Sequence, residues 1–317
     1  MAYVIYIVFI YERMMGAHCV VGRVVAARGG FYRVQAEGVG AVDCRLRGKL
    51  KRKGAFSDIE GGACVGDIVH VSLFAENGGQ IVGMVEEVHK RANLLLRPRI
   101  ANIELCVAVL ATQEPVYDLL LLDKILLIAA YNGIEAAICF NKADLAEEGL
   151  AALLEVYRLA GFKVVLVSAL TGQGLADLRL LLDNKIAVLA GPSGVGKSSL
   201  LNVLLPDYQG SVGDISTRLQ RGRHTTRHVS LLSLPNGGLV ADTPGFSLLD
   251  LPGELKAKNL SIMYPEYKNI ALNCRFLSCL HRYEPDCAVK EKLAAGKTDR
   301  GRYERYLRII DEIEVRR

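Results

Sequence analysis

The chain lacks any hydrophobic run long enough to cross a membrane. Its opening, "MAYVIYIVFIYERMMG", is apolar for about ten residues, whereas a transmembrane helix needs roughly 20. No basic segment precedes this stretch, so it does not resemble a secretory signal. We therefore predict a cytoplasmic protein with no membrane partner. Residues 1–15 are treated as an N-terminal extension, either an added strand or a segment upstream of a biological start at Met14 or Met15.

The chain also lacks a large excess of one charge, since its net charge is only +5. The distribution of charge is therefore more informative than the total. Six of the nine residues at 45–53, "RLRGKLKRK", are basic, and the tail at 290–317 holds nine Lys/Arg against six Asp/Glu. Such clusters favour polyanions, although a solvated surface is the alternative for each cluster taken alone.

Cysteine is present but scattered over most of the chain. Five cysteines lie mostly among apolar residues and are predicted to be small buried side chains, as is usual for free cysteine in a reducing compartment. They are Cys19, Cys44, Cys64, Cys106 and Cys139.

The N-terminal part, residues 16–88, has the pattern of a small β-barrel. Runs of five to eight alternating apolar and polar residues are separated by glycine turns, which predicts short strands. Five such strands in about 70 residues favour an OB-fold, a barrel that often binds oligonucleotides. A barrel that merely packs on its neighbour is the alternative. A basic linker follows at 89–102.

After the linker, apolar strands alternate with helical segments, which predicts a mostly parallel sheet with helices on both faces over 103–252. Strands are expected near 103–111, 136–140, 163–167 and 186–190, helices near 117–132, 147–160, 174–182 and 197–205, and a hairpin at 229–234 and 238–242. Residues 253–317 are predicted to form a charged helical domain. The predicted fold class is therefore multidomain: an OB-fold barrel, an α/β domain and a helical domain.

The segment "GPSGVGKSS" matches the G-x-x-x-x-G-K-[ST] pattern and lies between an apolar strand and a helix. Small residues let backbone N–H groups surround phosphate oxygens at a helix N-terminus. Lys197 would contact the β and γ phosphates, and the Ser198 hydroxyl would bind Mg²⁺. The predicted phosphate-binding residues are Gly191, Pro192, Ser193, Gly194, Val195, Gly196, Lys197, Ser198 and Ser199.

Two further loops indicate that the base is guanine. "NKAD" follows one apolar strand, and the Asp144 carboxylate would accept hydrogen bonds from guanine N1–H and its 2-amino group. Asn141 would brace the loop and contact the base, while the Lys142 stem would lie along the ring. "SAL" follows the next strand, with Ser168 beside the Ala169 N–H that would donate to guanine O6. We predict GTP or GDP with Mg²⁺.

A metal and γ-phosphate sensor is predicted in "DTPG", where Asp242 would hold Mg²⁺ through a water and the Gly245 N–H would face the γ-phosphate. The preceding "RGRHTTRH" is expected to be a switch whose threonine binds Mg²⁺ when the γ-phosphate is present. Thr225 and Thr226 both qualify, and we favour Thr226.

The order of these motifs is unusual, because both base loops precede the phosphate loop. A circular permutation of a GTPase explains the order, since chain termini often lie close together. Phe246 occupies the position where many GTPases have a water-orienting glutamine. His224 is our candidate for positioning water, and an RNA-contacting or packing role is the alternative. The candidate catalytic residues are His224, Lys197, Thr226 and Gly245.

A cysteine cluster follows in "NCRFLSCLHRYEPDC". Cys274, Cys279, His281 and Cys287 offer three thiols and one imidazole, the ligand set of a closed, structural Zn²⁺ site. Buried thiols with a surface histidine are the alternative.

The basic helices after the cluster carry two tyrosines among arginines. We expect Tyr303 and Tyr306 to suit RNA bases, and the neighbouring arginines to suit RNA phosphates.

These motifs together resemble the bacterial small-ribosomal-subunit biogenesis GTPases of the RsgA/YjeQ type over roughly residues 16–315. The first 14 residues and "NIE" at 102–104 depart from that pattern. The resemblance implies a monomeric late maturation factor whose GTP form binds the small subunit and its rRNA, and which is released by subunit-stimulated hydrolysis. Two rivals stay open: a GTP-switched RNA binder with a non-ribosomal partner, and a GTPase of tRNA modification or membrane traffic.

Overall fold

The computed structural model describes residues 19–48, 62–75, 80–96, 98–205, 229–242 and 251–316. These residues divide into two compact units. The first contains the described residues up to Ile103 together with 229–233 and 239–242, and the second contains 104–205, 234–238 and 251–316.

The first unit contains a closed five-stranded barrel. Its strands are β1 (Cys19–Arg28), β2 (Phe31–Ala36), β3 (Gly40–Leu46), β4 (Ile68–Ala75) and β5 (Ile81–Val88). Strand β1 pairs with both β2 and β4, and β3 pairs with β5 in parallel, which closes the ring. Alternate residues point inward, so Val24, Val34 and Val71 are fully buried. The predicted barrel is confirmed.

The linker to the second unit is more ordered than the sequence suggested. It forms a short antiparallel pair, β6 (Leu94–Leu96) and β7 (Arg99–Ala101). The Arg91 guanidinium makes two 2.6 Å bonds to the buried Asp67 carboxylate. Gly66 has a φ of +90°, and a Cβ there would lie 2.0 Å from the Ala101 carbonyl oxygen. The linker is therefore held tightly against the barrel.

The second unit is built on a parallel sheet of β8 (Leu105–Ala111), β9 (Glu135–Asn141), β10 (Lys163–Leu166) and β11 (Ile186–Ala190). The strand order is β10-β9-β8-β11, and all three pairings are parallel. Strands β8 and β11 are buried along their whole length, as expected for a sheet covered on both faces.

Four helices connect these strands or follow them: α1 (Leu119–Tyr131), α2 (Leu150–Leu159), α3 (Leu175–Leu182) and α4 (Lys197–Leu204). In the first unit β12 (Ser230–Ser233) and β13 (Leu239–Asp242) pair antiparallel, as the predicted hairpin requires. The predicted α/β order is therefore confirmed.

The C-terminal residues of the second unit form α5 (Pro265–Lys268), α6 (Ala288–Ala294) and α7 (Arg300–Val315). They share a hydrophobic core with α1, to which Leu127 and Ile128 contribute. Tyr303 and Tyr306 lie in this core and are 9% and 0% exposed. The prediction that these two tyrosines meet RNA bases was wrong, because they lie on the apolar face of α7.

A buried ionic cluster joins α7 to α1. The Arg302 Nη1 donates to Asp123 Oδ1 at 2.5 Å, and the Arg305 Nε donates to Asp123 Oδ2 at 2.6 Å. Glu266 also pairs with Arg302, and the buried Tyr157 hydroxyl donates to Asp123 at 2.9 Å. Because every member has a partner, the desolvation cost of these charges is offset. We call this group the Asp123 cluster.

Four of the five scattered cysteines are buried as predicted. Cys19 is the exception: it is exposed at the start of β1, so the expectation of burial was wrong there. Within the described residues, no helix is both long and apolar enough to cross a membrane.

Candidate functional site

The predicted phosphate loop lies between the end of β11 and the start of α4. A Cβ on Gly191 would lie 2.1 Å from the Val109 carbonyl oxygen, and a Cβ on Gly196, whose φ is +90°, would lie 2.3 Å from Asn141 Nδ2. Only glycine fits at either position. Val195 is buried under the loop, whereas Ser193 and Gly194 are exposed. The loop is thus a backbone-lined turn at a helix N-terminus, which suits phosphate oxygens.

Lys197 begins α4 and folds back over the loop. Its Nζ donates to the carbonyl oxygens of Gly191 at 2.8 Å and Pro192 at 2.7 Å. Burial lowers the pKa of Lys197. A phosphate anion at this loop would replace two neutral acceptors by a charged one, and charge-assisted hydrogen bonds are the stronger kind.

Asn141, at the end of β9, holds three loops together. Its Nδ2 donates to the Val195 carbonyl in the phosphate loop at 2.9 Å. Its Oδ1 accepts from the Ala169 N–H at 3.1 Å. Asn141 is 2% exposed. The structure therefore brings "NKAD", "SAL" and the phosphate loop together, although 54 residues separate Asn141 from Val195.

Asp144 and Ser168 also meet, because the Ser168 hydroxyl donates to the Asp144 carboxylate. Ser168 Oγ in turn accepts from the Thr171 N–H at 3.1 Å. The carboxylate predicted to read guanine is therefore positioned by the second base loop.

Two residues that the sequence analysis missed support Lys142. Its backbone is left-handed, with φ +63°. Thr112 Oγ1 donates to the Lys142 carbonyl at 2.5 Å, and Lys142 Nζ donates to the Glu114 carbonyl. Thr112 and Glu114 follow β8, the strand next to β9. Polar residues at the carboxyl end of a neighbouring parallel strand were the signal that could have revealed them.

The remaining predicted nucleotide-site residues lie on β13, on α4 or outside the described residues. Asp242 is buried at the end of β13 in the first unit. Ser198 and Ser199 lie in the first turn of α4 and are partly buried. His224, Thr225, Thr226 and Gly245 lie outside the described residues.

The three cysteines and one histidine of the predicted zinc site converge. Their candidate ligand atoms all lie within 4.8 Å of one another. His281 Nδ1 is 3.5 Å from Cys274 Sγ and 3.4 Å from Cys287 Sγ, and the two sulfurs are 3.9 Å apart. Bonds of about 2.3 Å to sulfur and about 2.0 Å to nitrogen separate the ligands of a tetrahedral zinc by roughly 3.5–3.8 Å. The cluster therefore fits zinc.

The surroundings of the cluster are also organised. Burial raises the pKa of Cys279 to about 12 and lowers the pKa of His281. The Tyr303 hydroxyl donates to the His281 carbonyl at 2.6 Å. Burial alone would raise the pKa of Glu284, but N–H groups including that of Leu280 lower it overall.

Comparison with protein-family models gives two matches. The model described as RsgA GTPase matches residues 88–252, and the model described as RsgA N-terminal domain matches residues 21–81.

Individual relatives match almost the whole chain. A protein of Moorella thermoacetica named "Small ribosomal subunit biogenesis GTPase RsgA" is 42% identical over 295 residues, covering 93% of this chain and 98% of that protein. The crystal structure of YjeQ from Thermotoga maritima matches with a TM-score of 0.80 and 32% identity, covering 95% of this chain and all of that one. YloQ, described as a circularly permuted GTPase, gives a TM-score of 0.78 and 35% identity, with 95% and 96% covered.

Proposed function

The chain belongs to the RsgA family of GTP-hydrolysing enzymes, and on this premise we propose that it is a late maturation factor of the small (30S) ribosomal subunit. Its GTP form would bind the nearly mature subunit, and subunit-stimulated hydrolysis would release it. The observation that carries the proposal is Asn141, which joins both base loops to the phosphate loop in the permuted order of the family.

For the nucleotide, the family implies guanine recognition together with Mg²⁺. We assign the base to Asn141, Lys142, Asp144, Ser168 and Ala169, and the phosphates to residues 191–199. The support is the contact between Asp144 and Ser168 and the close approach of Gly191 and Gly196 to neighbouring strands. Selection of guanine follows because a carboxylate accepts from two donors that adenine does not offer together.

For hydrolysis, Lys197 would stabilise charge on the transferred phosphoryl group, since little covalent chemistry is left for a protein in this reaction. Bound Mg²⁺ would neutralise phosphate charge, and Ser198, Thr226 and Asp242 are its candidate ligands. His224 would position the water and the Gly245 N–H would face the γ-phosphate. The order of the motifs supports these roles. The role of His224 is also supported by Phe246, which follows Gly245 and cannot orient water as a glutamine would.

For the metal, we propose one structural Zn²⁺ held by Cys274, Cys279, His281 and Cys287. The site is closed, with four protein ligands, so it would stabilise a fold and would not activate water. The interatomic distances support this assignment.

For organisation, we propose an OB-fold RNA-binding domain at 16–88, a linker at 89–102, the permuted GTPase at 103–252 and a zinc-binding domain at 253–317. The protein would act as a cytoplasmic monomer that contacts rRNA. The exposed Arg45, which lies 4.7 Å from the centre of the exposed Phe31 ring on the outer face of the barrel, supports an RNA contact.

The direct test is GTP hydrolysis with and without purified small ribosomal subunits, with ATP as the control nucleotide. We expect a large stimulation that is specific to GTP, and a loss of that stimulation in His224→Ala. Normal GTP binding without any stimulation would overturn the ribosome-activated mechanism.

A further inference from the structure

The loop that carries the proposed zinc ligands also exposes large apolar side chains. We call residues 272–287 the zinc loop. Leu272, Leu277 and Tyr283 are 77%, 106% and 82% exposed, and Phe276 is 41% exposed. Leu277 thus makes almost no contact with its own chain. Exposed apolar groups gathered on one small element usually mark an interaction surface.

The backbone that carries these side chains is fixed at several points. The four candidate metal ligands tie the two halves of the loop together, and the Arg275 N–H donates to the Asp286 carbonyl at 3.3 Å. The Arg282 guanidinium lies 4.9 Å from the centre of the Tyr283 ring. Less conformational entropy is therefore lost when a partner covers the surface.

The charges on the zinc loop do not favour RNA. Its two arginines are already paired: Arg275 bonds to Asp286 at 2.9 Å, and Arg282 bonds to Asp311 and, at 3.3 Å, to Glu314. Carboxylates therefore outnumber the cations in these pairs. Binding to RNA depends on cations that neutralise phosphates.

Two of the four exposed apolar groups, Leu272 and Leu277, point to the same conclusion. Leu277 is the most exposed of them, and a leucine side chain has no ring on which a base could stack. Nucleobases are bound through stacking on aromatic rings or guanidinium planes. Protein interfaces, in contrast, typically have an apolar centre with aromatic residues and arginine, and a polar rim.

We propose that the zinc loop is a docking surface for a protein, with Leu277 entering an apolar pocket whose rim is basic. The basic rim would complement the net negative charge of this group, in which Asp286, Asp311 and Glu314 outnumber the two arginines that pair with them, because electrostatic complementarity selects partners. The inference rests on the proposed function, which makes this partner a protein component of the small ribosomal subunit and not its rRNA.

The test compares Leu277→Ser with Leu180→Ser, an equally drastic change at an exposed leucine of α3. Binding of each variant and of the wild type is measured on intact small subunits and on protein-free rRNA extracted from them. Leu277→Ser should bind intact subunits at least about tenfold more weakly, as expected for an apolar anchor, with unchanged affinity for the extracted rRNA. Leu180→Ser should match the wild type on both.

Equal losses on subunits and on extracted rRNA would make the zinc loop an RNA surface and overturn the inference. Unchanged binding to both would show that Leu277 is not at an interface, and would also overturn it. Because Leu277 is fully exposed, the zinc content and melting temperature of Leu277→Ser should match those of the wild type. Agreement in both excludes unfolding as the cause of weaker binding. If small subunits stimulate GTP hydrolysis by the wild type, the proposed function stands even when the docking inference fails. If they do not, both the proposed function and the docking inference are overturned.

Discussion

The nucleotide loops and the zinc loop differ in how their polar groups are paired when no ligand is present. Each gathers polar groups that need a partner. In the nucleotide loops the protein supplies substitutes: Lys197 bonds to carbonyls of its own loop, and the Ala169 N–H bonds to Asn141. In the zinc loop, the three thiols and the His281 Nδ1 face one another. The buried His281 Nε2 has no hydrogen-bond partner in the described part of the chain.

This difference is the one expected between an exchangeable nucleotide and the resident Zn²⁺ that we propose. A site whose polar groups can bond to each other stays folded when the ligand leaves, so nucleotide exchange costs little of the fold. In the zinc loop, three of the ligand atoms have only long contacts with one another, of 3.4–3.9 Å, which are weaker substitutes than the bonds of the nucleotide loops. We therefore expect loss of zinc to affect folding, and loss of nucleotide to affect only activity.

The largest effect is expected from breaking the zinc cluster. Cys279→Ser should abolish stoichiometric zinc binding and lower the melting temperature by about 10 °C or more, because metal-binding energy contributes to folding. Calorimetry and metal analysis measure the two effects. Cys19→Ser, at the exposed cysteine, is the matched control. Equal melting temperatures for the two variants would contradict a resident zinc.

The second largest effect is expected from removing the Lys197 ammonium, which should reduce activity strongly and stability only slightly. Lys197→Met should reduce GTP hydrolysis about a hundredfold or more, as for other lost transition-state contacts. The melting temperature without nucleotide should change by less than about 3 °C, since burial of the charged ammonium already opposes folding. A large loss of stability would show that the nucleotide loops depend on this lysine to fold.

The same lysine predicts a pH dependence. Burial lowers the pKa of Lys197 below its usual 10.5, so the unfolded chain binds more protons between the two pKa values. The stability of the wild type relative to Lys197→Met should therefore rise with pH across that window. Melting curves from pH 7 to 10 measure this difference, and a constant or falling difference would contradict it.

A smaller effect is expected at the base. Asp144→Asn should weaken GTP binding about tenfold to a hundredfold, because hydrogen bonds to charged groups contribute about 1.5–3 kcal/mol. Asp183→Asn, at an exposed position that ends α3, should bind GTP normally. Titration with a fluorescent guanine nucleotide provides the comparison. Equal affinities would remove Asp144 from guanine recognition.

The smallest effect is expected at the rim of the zinc loop. Arg275 and Asp286 are paired at 2.9 Å, but their side chains are 63% and 67% exposed. Asp286→Asn should therefore change stability by at most about 1 kcal/mol, and less at high salt. Asparagine also tolerates the left-handed backbone of this position, where φ is +53°. A larger loss would mean that the pair, and not the metal, holds the loop.

Local patterns explain which features were predictable. The phosphate loop, both base loops and the zinc ligands combine special residue types with fixed spacing, and each of these candidate groups could be placed from the sequence. Thr112 and Glu114 could not, because their role depends on which strand lies beside β9. The short β6–β7 pair was missed because a basic linker gives no alternation to read.

The error at Tyr303 and Tyr306 had a readable cause. Both belong to a stripe with Ile309, Ile310 and Ile313, at the three- and four-residue spacing of a buried helix face. That stripe outweighed the arginines between them. The burial of Arg302, in contrast, could not be read locally, because its partner Asp123 lies 179 residues earlier.

The Asp123 cluster can form only late in the synthesis of the chain. Helix α1 carries Asp123 and an apolar face, and both are completed by α7, the last helix among the described residues. At about 5–20 residues per second, a translating ribosome needs roughly 10–35 s to make the intervening residues. Throughout that interval a nascent chain holds a carboxylate without its arginines and a hydrophobic surface without its cover. A chaperone that recognises apolar segments would find α1 accessible in this period, and release from it would coincide with the emergence of α7.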